Sequence, residues 1–341
     1  MNLNWRKCSF LVSIMLSTIF VFVACEGSSE NDHVAGISPS EVMIEVEGMP
    51  ILWEEIYYDM ASFLAGAENP NELFEGNPYG ESMTYNEFAL RRAKDNALTR
   101  RTVMTLFNEF DGEVADWEVD EDETYLRSLH MTANLQKLLV EQEDMLEQLP
   151  GLVYGENGER LPEGSVAEFA ELESIIRVKY ILIGTENRTE AEAFALATEV
   201  YEELQTLTGE GQFERFETLR MEVGSFSDSD SAEGYTFTSG MMEVAPFETA
   251  RALNFDEISS PVQGEQGYYI VLRLPIVAEH NLYTQGESPI PLWEAVARGR
   301  IVERLDEIRQ NLVYTETSVF GQIDFDRVLS AIEETRAEEN E

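Results

Sequence analysis

Apolar and acidic residues alternate from Val42 to Val46, the two-residue period of a strand, and Gly48-Met49-Pro50 then turns the chain. From Trp53 the period lengthens, so that Trp53, Ile56, Tyr57, Met60, Phe63 and Leu64 fall on one face of a helix. A second helix is predicted over about Thr84 to Phe110, with Phe88, Ala97, Leu98, Met104 and Phe107 turned inward. A third is predicted from about Asp120 to Leu149, and the acids of Glu118 to Glu123 at its start suit the positive end of a helix dipole. Gly151 to Gly164 collects Gly, Pro, Asn and Glu and is read as a boundary loop.

Beyond it the period changes. Ile175 to Ile183 is a strand-like run, and Thr189 with Glu192 forms a capping box ahead of a helix that stacks Phe194, Ala197, Tyr201 and Leu204. A shorter helix near Phe213 to Met221 leads into the Ser/Asp loop Ser225 to Ser231. Then follow a strand at Tyr235 to Thr238, a short helix near Pro246 to Leu253 and a last strand at Tyr268 to Leu274. This order over about 100 residues is that of a small α+β domain. Pro289 to Pro291 introduces a helix through Leu312, with Ile301, Leu305, Ile308 and Leu312 on one stripe. A helix of that length cannot bury its stripe alone, so it is expected to pack back on the first helices, leaving the α+β domain as an insertion. The tail Glu333 to Glu341 is expected to fray, and no internal repeat is evident.

The 341 residues thus divide into a leader (1–24), a polar tether (25–40), a helical lobe (41–172), an α+β domain (173–276) and a returning helix with an acidic tail (277–341). Arg6 and Lys7 precede an apolar run from Ser9 to Val23, shorter than the roughly 20 residues a membrane span needs and suited to a secretory signal. The run ends in Phe22-Val23-Ala24-Cys25, which resembles the lipobox of bacterial lipoproteins, with Phe22 where leucine is usual. That resemblance makes Cys25 a lipid anchor. Cys8 leaves with the signal, so the mature chain has one cysteine, and neither a disulfide nor a thiolate metal cluster can form. No calcium-loop spacing occurs either. Removing residues 1–24 takes the formal charge from −43 to −45. Such acidity excludes the basic footprint of nucleic-acid binding and leaves membrane attachment to the acyl chain.

Residues 175–276 resemble the parvulin family of peptidyl-prolyl isomerases. Arg177-Val178-Lys179-Tyr180-Ile181-Leu182-Ile183 matches the opening strand, and Glu192 to Leu204 matches the first helix. Gly234-Tyr235-Thr236-Phe237 with Gly240-Met241-Met242 resembles the central strand and its Gly-x-Met turn. Pro246-Phe247-Glu248 with Ala250 and Leu253 matches the following helix. Glu257-Ile258-Ser259-Ser260-Pro261-Val262 and Gln266-Gly267-Tyr268-Tyr269-Ile270-Val271 match the closing elements. The flanks resemble the helical lobes of PrsA-type and SurA-type extracytoplasmic foldases, and Tyr154 to Glu159 is similar to clostridial members.

The resemblance implies an antiparallel four-stranded sheet with helices, inserted in or appended to a mainly helical chaperone lobe. It implies an extracytoplasmic isomerase lipid-anchored to the membrane of a Gram-positive bacterium, acting on unfolded or proline-containing exported polypeptides and needing no cofactor. A proline-ring pocket is implied at Phe237, Phe247 and Met242 or Met241. Family members commonly carry two histidines beside a cysteine or aspartate. Here those positions read Tyr180 and Tyr269, with Asp228 or Asp230 as the third. His33, His130 and His280 lie outside the motifs. Tyrosine stays neutral at pH 7 and can hydrogen-bond, but it has no imidazole tautomers. The alternative is therefore a holdase that keeps the parvulin shape and binds unfolded clients with little catalysis. A solute-binding lipoprotein would need two α/β lobes with several parallel strands, and only one short β-containing domain is present.

Overall fold

The computed structural model describes residues 33–338, apart from 68, 77, 116–125, 127, 226–232 and 284–287. The expectations for the leader, the anchor Cys25, the acids 118–123 and the loop aspartates Asp228 and Asp230 lie outside the described residues.

The alternation at the start of the chain becomes Val42–Val46 (β1), the middle strand of a three-stranded antiparallel sheet. Its neighbours are Ile51–Leu52 (β2) and, from the far end of the chain, Tyr314–Glu316 (β9), with Ile44 opposite Glu316 and Val46 opposite Tyr314. The helix Trp53–Leu64 (α1) buries Trp53, Ile56, Tyr57, Met60 and Leu64 against this sheet, and Phe63 turns to Phe74, Tyr85 and Phe88. Tyr85–Glu109 (α2) opens on Thr84: the Glu87 amide donates to Thr84 Oγ1 at 3.2 Å, and the Thr84 amide donates back to the Glu87 carboxylate at 2.7 Å.

The third helix differs from expectation at both ends. It runs Ala133–Tyr154 (α3), capped by Thr132, whose Oγ1 accepts from the Leu135 amide at 3.1 Å. His130, just before the cap, has φ +56°, a left-handed turn that interrupts any helix arriving from residue 126. At the other end the helix passes through Pro150 and stops at Gly155, φ +88°. A proline inside a helix costs about 3 kcal/mol. Leu149 and Val153, buried beside Val103, Phe107 and Ile301, offset it at roughly 1.5–3 kcal/mol each.

Ser165–Leu172 (α4), which the sequence pattern did not predict, leads into Ile176–Gly184 (β3), the centre of a second sheet. β3 pairs over eight positions with Gly267–Leu274 (β6), from Arg177 opposite Leu274 to Gly184 opposite Gly267. Gly267 has φ +150°, and a Cβ there would collide with the Ile183 carbonyl oxygen and lie 2.8 Å from Gly184 Cα. Only glycine lets the two strands meet at that corner. Strand alternation sends Ile181, Ile183, Tyr268, Ile270 and Leu272 to one face, under Glu190–Gln205 (α5) and Glu210–Val223 (α6). Ile176, Val178, Tyr180, Leu182, Tyr269 and Val271 take the other face, with Val244–Ala252 (α7).

The α+β class holds, but the sheet has six strands rather than four. Val262–Gln263 (β5), β6, β3 and Tyr235–Phe237 (β4) form the antiparallel part. The chain beyond residue 276 then adds Asn281–Tyr283 (β7), parallel to β4, and Ile290–Pro291 (β8). β4 is three residues long and would otherwise expose a free edge, so the linker supplies its second partner.

β8 runs directly into Leu292–Asn311 (α8), which buries Ile301 between α2 and α3 with Leu305 and Ile308 half-buried beside it. Arg304 pairs with Glu109 at 2.6 Å and Arg309 with Asp95 at 3.0 Å. The expected frayed tail is instead helical to residue 338. Phe325–Glu338 (α9) packs on α1 through Val328 and Ile332, and this apolar stripe holds it despite its acidic composition. The helical lobe is therefore built from both ends of the chain, and the sheet domain interrupts it.

Candidate functional site

On the α7 face of the second sheet a cavity of about 190 Å³ opens between β3, β6, β4 and the turn before α7. Tyr180, Leu182, Phe237 and Tyr269 form its sheet side, and Met241, Met242, Glu243 and Gln266 close it. Pockets for drug-sized ligands run to roughly 300–1,000 Å³, so this one is on the scale of a single side chain. Leu182 stands opposite Tyr269 and Tyr180 opposite Val271, so the two tyrosines lie diagonally on one face, their rings 5.6 Å apart and tilted by 52°. Tyr180 also stacks on Tyr235 at 6.0 Å, Tyr235 lies parallel to Phe237 at 5.3 Å, and Tyr283 of β7 meets both Tyr235 and Phe237 edge-on.

The implied site residues fall out as follows. Tyr180, Tyr269, Phe237, Met241 and Met242 all line the cavity. Phe247 does not: it is 3% exposed and packs into the apolar cluster beneath, so it supports the cavity rather than bounding it. Both methionines of the Gly240 turn are half-buried in that cluster. Asp228 and its alternative Asp230 lie outside the described residues.

The residue that sequence reasoning missed is Glu243. It is the N-cap of α7, and its main-chain carbonyl accepts from the Phe247 amide at 3.1 Å. Its side chain turns back over the cavity, where Oε1 accepts from the Tyr269 hydroxyl at 2.7 Å and Oε2 accepts from the Glu265 amide in the β5–β6 turn. Gly264 makes room for this bridge, since a Cβ there would strike the Glu243 carboxylate and lie 2.7 Å from Tyr269 Cε2. Burial, reinforced by the hydrogen bond and charge of Glu243, pushes the Tyr269 hydroxyl well above the ordinary tyrosine range. Tyr269 is therefore a neutral donor held by a carboxylate. No local motif could have revealed this, because the partners of Glu243 lie 22 and 26 positions downstream.

No family model matches the chain, and no curated protein matches it. Solved structures of PrsA foldases and SurA-like chaperones are similar to it. Among them, PrsA from Bacillus subtilis shares 17% identity over 79% of this chain and 93% of its own, with a TM-score of 0.25. A structure from the pair of SurA-like chaperones PEB4 and Cj1289 of Campylobacter jejuni shares 18% over 80% and 94%, also at 0.25. Foldase protein PrsA from Streptococcus pneumoniae shares 16% over 78% and 93%, again at 0.25. Superposition over the whole chain is loose at these scores, and the functional reading comes from the cavity and the motifs around it. Among the described residues, no helix is long and apolar enough to cross a membrane.

Proposed function

We propose that this chain is an extracytoplasmic peptidyl-prolyl cis-trans isomerase of parvulin type, lipid-anchored through Cys25, that assists the folding of exported polypeptides. One observation carries the reading: a side-chain-sized notch walled by Phe237, Met241 and Met242 opens beside Tyr180 and Tyr269, the positions to which the resemblance assigns the polar pair. Isomerisation makes no covalent bond with the enzyme. Its barrier of about 18–20 kcal/mol reflects amide resonance, and rotation removes that resonance and leaves the nitrogen lone pair free to accept a hydrogen bond. A notch that fixes the proline ring while the preceding residue turns favours the twisted amide over both planar forms.

A holdase is the second reading, and one observation favours it. The Tyr269 hydroxyl is already donated to Glu243, which leaves less donor capacity for a twisting amide than an imidazole pair would provide. A protease-coupled assay on Xaa-Pro peptides with the mature protein separates the two. The isomerase reading expects exchange well above the uncatalysed rate, which takes tens of seconds or longer, and a loss of about tenfold or more in Met242→Ala and Tyr180→Phe, which corresponds to about 1.4 kcal/mol or more of transition-state stabilisation. No rate above background at high enzyme concentration rejects it. Suppressed aggregation of an unfolded secreted client would then support the holdase, and no suppression would reject both.

A further inference from the structure

We infer that Glu243 makes the groove selective for proline segments carrying a lysine or arginine next to the proline, an inference that rests on the proline-binding reading above. The carboxylate lines the cavity half-buried and receives two neutral donors, the Tyr269 hydroxyl and the Glu265 amide. Among the described residues no Lys, Arg or His forms an ion pair with it. Two acids of the helical lobe are treated differently: Glu55 is neutralised by Arg100 and Arg101, and Asp59 by Arg100. Two dipolar donors orient the Glu243 carboxylate without cancelling its charge, so a negative charge stands at the wall of the partly open cavity.

Tyr180 and Phe237 line the same cavity, backed by Tyr235, which stacks on both, and by Tyr283, edge-on to Tyr235 and Phe237. Ring faces attract ammonium and guanidinium groups and offer nothing to a carboxylate. A ligand whose pyrrolidine sits between Met241, Met242 and Phe237 has its neighbouring side chains within reach of both features. A cation there gains an ion pair and a ring contact, whereas an acidic side chain meets a like charge. The same polarity holds across the molecule, whose formal charge is −43, so clients rich in Lys and Arg are also drawn in at long range.

The test is binding of acetylated, amidated peptides to the mature full-length protein, measured by calorimetry, with Lys, Ala or Glu placed before and, in a second series, after one proline. The expected order is Lys above Ala above Glu in at least one series, with about three- to tenfold between Lys and Ala. That ratio should shrink toward one at high salt and in Glu243→Gln, which keeps one of the two acceptor oxygens and removes the charge. Because the acidic surface as a whole also gives a salt-dependent preference for Lys, the comparison with Glu243→Gln decides, and Glu243→Ser, with a side chain suited to the N-cap of α7, repeats it should the first variant fail to fold; a Lys preference undiminished in the folded variant would overturn the inference. Proline peptides that bind with no dependence on the neighbouring charge, or a Lys preference insensitive to salt, would overturn the inference and leave the proline-binding reading standing. No binding by any proline peptide would overturn both.

Discussion

Tyr57 and Tyr269 show how one residue type takes on different work according to what surrounds it. Tyr57 sits in α1 with its ring edge-on to His130, and burial, with the charge of Glu334 behind it, pushes its hydroxyl up to about 12. Tyr269 is raised further, by burial first and by Glu243 second. A group whose folded-state pKa exceeds its unfolded value contributes stability that is complete below the unfolded value, near 10 for tyrosine, and lost as pH climbs toward the folded one. These two hydroxyls should therefore leave stability untouched from neutral pH to about 10 and erode it above that. Urea titrations at stepped alkaline pH should show a steeper decline for the native chain than for a Tyr57→Phe, Tyr269→Phe double variant. Parallel declines would mean that neither hydroxyl is held neutral by the fold.

At the scale of elements, α1 and α2 are locked by a buried ionic cluster. Arg101 donates to both Glu55 oxygens, at 2.6 and 3.0 Å, and to the carbonyls of Met49 and Pro50. Arg100 reaches Glu55 at 3.1 Å and Asp59 at 2.7 Å. Glu55 is 1% exposed and the two arginines 5% and 4%, so deleting the acid strands buried cations. Glu55→Ala should cost about 3–5 kcal/mol, while replacing Glu55, Arg100 and Arg101 together by apolar residues of similar volume should recover most of it. Denaturant midpoints with an unchanged slope would register both effects; a single variant within 1 kcal/mol of the native chain, against the roughly 3 kcal/mol minimum for breaking a buried pair, would show the cluster to be water-filled. This cluster also marks where sequence reading stops. The capping box at Thr189 was legible because both partners lie within one turn. Likewise the face of α1 was legible because periodicity is local. Glu55 and Arg101 are 46 positions apart, and Glu243 and Tyr269 are 26. Nothing near either residue distinguishes it from the many other acids. α9 was missed for a related reason: Val328 and Ile332 are sparse among charges, and only the surface of α1 reveals that they form a stripe.

On the scale of the whole molecule, the chain leaves the helical lobe after α4 and returns to it at α8, and the lobe is incomplete until that return. Ile301 fills the space between α2 and α3, Phe320, Val328 and Ile332 lie against α1, and β9 gives β1 its second neighbour. Burying four such side chains is worth about 6–12 kcal/mol in total at roughly 1.5–3 each, comparable to the entire 5–15 kcal/mol stability of an ordinary domain. A chain ended at residue 276 should therefore keep no cooperative transition for residues 33–172. The sheet domain takes its outer edge from the linker: Leu282 and Tyr283 pair with Thr236 and Phe237, and Leu282 is buried with Ile175, Ala170 of α4 and Leu292 of α8. A fragment of residues 173–291 should accordingly melt cooperatively, and at a higher temperature than one ending at 276, because only the longer one covers the outer edge of β4. Calorimetry on the three fragments decides the matter. A helical-lobe transition that survives truncation at 276 would mean that α8 and α9 decorate a lobe already complete, and the last fifth of the chain would then have to be explained by something other than the core it fills.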